Sequence, residues 1–215
     1  MAVFDLEEID RLLTTTRAVR RRLDLAQPVG TDVLRECIGL ATQAPNASNQ
    51  QSWKWVVITD PEMRRKVGDE YRRIIVPPVE ALRKQKLAAH DEAGVRISDS
   101  VLFLAERMGQ VPAQVIPCFD FRVEASTHLA FTARMFASIY PAVWSFQLAL
   151  RSRGLGSVLT TAHLLDDAPL QRMLGIPPRY TQTCLIPVAH TVGSHFEPAR
   201  RRPVEEVIEW NGWRA

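Results

Sequence analysis

The stretch MFASIYPAVWSFQLALRSRGLGSVLTT, Met135 to Thr161, decides the fold class of this chain. Its first part, Met135 to Leu150, is the longest apolar run in the sequence. It is shorter than the ~20 residues that a membrane span needs, and Ser138, Pro141, Ser145 and Gln147 interrupt it. The run therefore reads as a buried helix from near Thr132 to Ser152. Pro141 lacks an amide donor and crowds the preceding turn, so it is expected to bend or break that helix. Gly154 is placed to close it in the left-handed conformation.

Single strands alternate with helices on both sides of this stretch. Asp5 followed by Glu8 has the spacing of a helix-opening capping arrangement. From Thr31 the set Val33, Leu34, Cys37, Ile38, Ala41 and Ala44 follows helical periodicity and stops at Pro45. A polar loop, NASNQQS, leads into WKWVVIT, which is rich in β-branched and aromatic residues and reads as a strand. Asp60-Pro61 opens a further helix to about Ile75. Val79 to Ala93 is charged and helix-prone, a solvated excursion, and Ile97, Val101, Leu104, Ala105 and Met108 mark another helix. VPAQVIPCF, Val111 to Phe119, is more strand than helix. A short helix is expected from Asp166 to Leu174, ended by Gly175, followed by CLIPVAHTV as a strand. Helices interrupted by single strands, with few hairpin signals, give an α+β chain whose central sheet is covered by helices.

Composition narrows the function classes. The chain has 215 residues, 27 basic and 24 acidic, a net charge of +3, and 46% hydrophobic residues, which excludes a disordered tail, a collagen-like fibre and a disulfide-dense miniprotein. No repeat or Gly/Ser linker marks a boundary, so residues 1–215 read as one unit. Lysine stands only at Lys54, Lys66, Lys84 and Lys86, which leaves 23 arginines among the bases. Guanidinium groups suit bidentate contacts to carboxylate or phosphate. Cys37, Cys118 and Cys184 form neither a disulfide framework nor a metal spacing. The start, MAVFDLEEIDRLL, carries acids where a signal peptide carries bases, so the expected location is cytoplasmic, away from the membrane.

Protein-borne catalysis finds little support. The sequence has no GxxxxGK[ST] loop, no HExxH and no GxSxG. Gly154-Leu155-Gly156 begins like a dinucleotide fingerprint, but Leu159 stands where the third glycine belongs, so the pair reads as a helix cap. His90, His128, His163, His190 and His195 sit at no metal-ligand spacing, and no carboxylate pair stands out. No catalytic side chain and no metal ligand is nominated, and a cofactor-borne reaction rises by elimination. Trp53 and Trp55 read as core strand residues rather than stacking partners, and Trp144 as core or dimer packing.

Four separated segments gain meaning together: TTTRAVRRRLD (Thr14 to Asp24), APNASNQQSW (Ala44 to Trp53), the pair ASIYPAVW and GLGSVLTT (Ala137 to Thr161), and PARRRPVEEV (Pro198 to Val207). In this order and spacing the chain closely resembles the FMN-dependent nitroreductase family, over nearly its whole length. Residues 62–107 match least, and in that family this region shapes substrate access. The resemblance implies an α+β nitroreductase fold with a central, mainly antiparallel sheet flanked by helices, in an intertwined homodimer whose VEEVIEWNGW tail wraps the partner. It also implies an oxidoreductase that takes hydride from NADH or NADPH and reduces a nitroaromatic, quinone or similar small acceptor by ping-pong turnover. Arg17 and Arg20, with Arg200 and Arg202, would converge on the FMN phosphate and the pyrimidine edge. Pro45, Asn46, Ala47 and Asn49 would reach a flavin held mainly by the other subunit. Ser138 and Pro141 would bring the long helix close to the ring, and Leu159 and Thr160 would offer backbone amides near N5. Two departures stand out: Ala18 replaces a serine whose hydroxyl would bond the phosphate, and Asn46 replaces a loop serine. A flavin-binding sensor or carrier without turnover, and a basic nucleic-acid-binding protein, are the alternative readings.

Overall fold

The computed structural model describes residues 3–213; Met1, Ala2, Arg214 and Ala215, at the ends of the expected unit 1–215, lie outside the described residues. Five strands form one sheet: β1 (Trp53–Ile58), β2 (Ala113–Phe119), β3 (Leu155–Ser157), β4 (Thr181–Gln182) and β5 (Ile186–His190). The order is β1-β2-β5-β3, with β4 also on β2, and every ladder is antiparallel.

β2 is buried along its whole length, which explains an apolar run without polar alternation. Ala113, Val115 and Phe119 enter a core on one face, while Ile116 and Cys118 enter a second core on the other. Side chains of a strand alternate between faces, so a strand covered on both sides shows no polar phase. Helices α2 (Thr31–Ala41) and α5 (Leu129–Ser152) supply the first core through Leu34, Cys37, Ile139, Phe146 and Leu150. Helices α3 (Pro61–Ala88), α4 (Glu92–Arg107) and α6 (Ala168–Met173) supply the second through Val67, Tyr71, Leu104 and Leu170. The remaining helix, α1 (Leu6–Thr15), opens on Asp5, whose carboxylate accepts from the Glu8 amide at 3.1 Å.

Pro117 sits inside this central strand without breaking it. Its carbonyl accepts from the Thr183 amide at 3.0 Å, so the side where its own amide is missing also faces residues 183–185. There the register slips by one residue between β4 and β5, because Cys118 pairs with Gln182 while Val115 pairs with Ile186. The missing donor thus falls on a bulge, where the ladder is already interrupted.

Several expected boundaries are corrected. The helix expected to stop near Ile75 runs on through Pro77 and Pro78 to Ala88, so Val79 to Ala88 is not a separate excursion. Two missing amide bonds are offset by packing against α4: Val79 is buried, and Arg83 pairs with Asp99 at 2.5 Å. The turn into α4 is made by His90 at φ 53°, and Asp91 accepts from the Gly94 amide at 2.8 Å. Pro141 does not break α5, which starts at Leu129 and stays continuous to Ser152. Ile97, assigned to a helical apolar face, is exposed. The helix expected from Asp166 to Leu174 is the slightly shorter α6, preceded by a 3-10 turn at Ala162–Asp166. Trp53 is buried and Trp55 packs on Phe146, but Trp144 is 43% exposed and is no part of this chain's own core. Gly154 and Gly175 take positive φ as helix stops.

Candidate cofactor site

The basic segment after α1 runs along the free edge of β3. Ala18 bridges Ser157 in parallel, and the Val19 amide donates to the Ser157 carbonyl at 2.9 Å. The extended run ends at Val19, and residues 20–22 turn. Val19 goes into the core, and Arg17, Arg20, Arg21 and Arg22 line a cleft of about 470 Å³.

These arginines do different things. Arg22 donates to the carbonyls of Val192 (2.9 Å) and His195 (2.7 Å), and its guanidinium lies 3.9 Å from the centre of the Phe196 ring. Arg151 donates to Ser194 at 3.1 Å and also packs on that ring. Arg17 donates to the Glu197 carbonyl at 2.7 Å. Together they fix the turn from which the tail departs. The one acid lining the cleft, Glu197, accepts a hydrogen bond from His195.

Arg20 is the exception. It is half-buried, its pKa is pushed down by burial, and among the described residues it has no hydrogen-bond or ion-pair partner. Its neighbour is Tyr71, which is 1% exposed and whose hydroxyl shares a 3.1 Å hydrogen bond with Thr160 Oγ1. A cation taken partly out of water without a counter-charge is costly. This cleft therefore suits an anion with several acceptor oxygens.

Thr160 requires a correction. Its amide donates to the Leu185 carbonyl at 3.0 Å and its carbonyl accepts from Leu185 at 2.8 Å, so the expected free Thr160 donor is already committed. The bulge at Cys184 presents Leu185 to it. The Leu159 amide has no partner among the described residues, and Leu159 is exposed.

The loop after α2 is held from α5. Buried Ser138 donates to the Arg134 carbonyl at 2.8 Å and accepts from the Ala47 amide at 3.1 Å. Asn46 Oδ1 accepts from the Gln51 amide at 2.9 Å, closing a tight loop in which Ser48, Asn49 and Gln51 all take φ near 50°. Three non-glycine residues in the left-handed region are unusual, and such strain gathers at functional sites. Pro45 and Asn49 are exposed on this loop, and half-buried Pro141 lies one turn along α5 from Ser138.

The expected residues thus fall into two groups. Arg17, Ala18 and Arg20 share the arginine cleft, and Tyr71 links Thr160 to it. Pro45, Asn46, Ala47 and Asn49 gather with Ser138 at α5. Arg200 and Arg202 are exposed and do not line the cleft that holds Arg17 and Arg20. Tyr71 was missed in the sequence, where it fell inside the helix opened by Asp60-Pro61 and drew no reading of its own. His195 and Phe196 were missed because nothing local marks their role.

Burial holds His163, in the 3-10 turn that follows Thr160, neutral with a pKa lowered to about 4. Burial pushes the thiols of Cys118 and Cys184 up to about 12. Among the described residues no helix is long and apolar enough to cross a membrane.

Comparison with known proteins adds to this geometry. The model of the nitroreductase family matches residues 13–190. The chain is 29% identical over 195 residues to a Streptococcus pyogenes protein named as an NAD(P)H nitroreductase, covering 85% of this chain and 90% of that one. Its fold matches an FMN- and NADPH-dependent nitroreductase from a Sphingopyxis strain, with a TM-score of 0.69 at 20% identity over 95% of this chain and 99% of the other. It also matches an iodotyrosine deiodinase crystallised with FMN and 3-iodo-L-tyrosine, with a TM-score of 0.74 at 17% identity over 95% and 100% of the two chains. At these identities the structural likenesses establish the fold.

Proposed function

Because the chain belongs to the nitroreductase family and is an oxidoreductase, we propose that it binds FMN and passes electrons from NADH or NADPH to a nitroaromatic, quinone or similar acceptor. The observation that carries this reading is Arg20, a half-buried guanidinium without a counter-charge, beside the Tyr71–Thr160 pair. FMN, when bound, supplies the hydride acceptor and donor that no side chain provides.

The chain's own residues bind, orient and shield. Arg17 and Arg20, joined by Arg200 and Arg202 from the tail, balance the phosphate. Ala18 contributes only its backbone, and the surplus arginines offset the missing hydroxyl. Leu159 offers the free amide, and Thr160 positions Tyr71. Pro45, Asn46, Ala47 and Asn49, pinned by Ser138 and flanked by Pro141, cover a ring held by the partner subunit. NAD(P)H and the acceptor then occupy one face in turn, in a ping-pong order. Solvent protonates the reduced nitro or quinone oxygen.

The homodimer rests on exposed apolar surface. Leu129 and Trp144 on α5 and Val204, Val207, Trp210 and Trp213 in the tail are all exposed in the single chain. Isolated apolar residues need no account, but this many along one helix and one tail do. Sedimentation of the flavin-loaded protein is expected to report a dimer; a stable, flavin-loaded monomer would contradict the arrangement.

The deciding experiment is an absorbance spectrum of the purified protein followed by anaerobic NADH or NADPH. Flavin bands that bleach support the enzyme. Bound flavin that neither nucleotide bleaches indicates a sensor or carrier, and steeply salt-dependent DNA binding without flavin would favour the nucleic-acid reading. Arg202→Ala is expected to weaken FMN binding by about 1.5 kcal/mol, roughly tenfold. Unchanged affinity in a fluorescence titration would remove the tail from the phosphate site.

A further inference from the structure

A second cavity, of about 240 Å³, opens beside the Asn46–Gln51 loop. Gln50 and Ser52 form its loop side, and Phe119 and Phe121 line it from the end of β2. Phe131, Arg134 and Met135 come from α5. Residues three and four apart share a helix face, so Phe131, Arg134, Met135 and Ser138 make one stripe. Ser138 is the residue that holds the Ala47 amide. The cavity and the flavin-covering loop are therefore set by the same helix face.

Its lining joins three aromatic rings to one exposed arginine, Arg134. Three phenylalanines give flat apolar walls, and Phe121 and Phe131 are 39% and 56% exposed, which leaves them open to a ligand. Arg134 has no side-chain hydrogen-bond or acidic partner among the described residues. The acid that also lines the cavity, Asp120, is already bound by Arg179 at 2.7 Å, and Lys54 lies close enough to act on it. Asp120 is thus cancelled, and the guanidinium of Arg134 is the net charge. A planar aromatic body fills the walls, and a carboxylate matches the fork of Arg134.

We infer that this cavity is the acceptor subsite and that it selects planar aromatic acceptors carrying an anionic group, a nitrobenzoate-like class, through Arg134. This rests on the reading of the chain as a flavin enzyme, and it adds the substrate class. Arg134 orients the acceptor by its charged end and takes no part in electron transfer.

The test is calorimetric. Flavin-loaded and flavin-free protein are each titrated, without NAD(P)H, with 4-nitrobenzoate and with its neutral isostere 4-nitrobenzamide. Wild type is expected to prefer the benzoate by about tenfold, the scale of one charge-assisted hydrogen bond. Arg134→Gln is expected to bring the ratio near one by weakening the benzoate alone, and Arg134→Lys to keep part of the preference. Equal affinities in wild type, no detectable binding of either compound, or a preference that survives Arg134→Gln would each overturn the inference. A protein that takes up flavin and is bleached by NAD(P)H but shows no preference defeats this inference alone. Failure to take up flavin defeats the proposed function, while the flavin-free titration still reads the cavity.

Discussion

Arg20→Ala is expected to weaken FMN binding by roughly 1.5–3 kcal/mol, about ten- to a hundredfold, and to leave the flavin-free protein at least as stable as wild type. The two effects have opposite signs for one reason. In the free chain the guanidinium is half-buried beside Tyr71 without a counter-charge, so its removal relieves a desolvation cost. In the complex the same charge is satisfied by an anion, and its removal leaves acceptor oxygens without a donor. A residue that merely supported the fold would lower both quantities together. Arg20→Lys keeps the charge but loses the planar fork, and is expected to recover part of the affinity. Flavin fluorescence titration and thermal unfolding of the flavin-free form are the measurements. An FMN affinity within twofold of wild type would place the anion elsewhere in the cleft.

Gly68→Ala is expected to cost about 3 kcal/mol or more, although alanine is the better helix former by ~1 kcal/mol. A Cβ at Gly68 would stand 2.3 Å from the Gly109 nitrogen and 2.5 Å from its Cα. Both are backbone atoms and cannot swing aside. Gly109 is equally confined, since its own Cβ would meet the Arg65 Cα at 3.0 Å. The two glycines let α3 cross the turn after α4 at backbone contact, so the added methyl must push the helix off. Gly39→Ala, on α2 with nothing within 4 Å of its added Cβ, is the paired control and should gain ~0.5–1 kcal/mol. For a chain of this size the loss corresponds to a fall in Tm of roughly 6–12 °C. Tyr71 lies one turn beyond Gly68 on α3, so flavin retention should fall with stability. A Gly68→Ala protein as stable as the Gly39→Ala control would refute the close crossing.

The segments of the candidate site were marked in the sequence. The loop Asn46–Gln51, the arginines at positions 17 and 20 and the turn after Gly154 were all marked by motif spacing. Their partners were not. The hydroxyl of Tyr71 reaches Thr160 across 89 positions, and a helix-opening signal says nothing about where one phenol points. The Thr160 amide was read as free because its partner, Leu185, is delivered by a bulge, and an apolar strand pattern does not record bulges. Arg134 carried no signal at all; only its lack of a partner, which the fold reveals, makes it notable.

The sequence by itself marked most of the helices and the strands β1, β2 and β5, though not β3 and β4, and most of the side chains that face a core. Capping aspartates, stop glycines and the two-faced apolar run of β2 act over a few residues, so short-range pattern suffices to read them. Only the tertiary structure decided that α3 continues through Pro77 and Pro78, that Pro117 falls opposite a bulge, and that Arg20 is left without a counter-charge while Arg17, Arg22 and Arg151 hold the tail's departure. Each of those outcomes is set by contacts between distant segments. Their energies outweigh the local preference of one or two residues and leave no periodic trace in the chain.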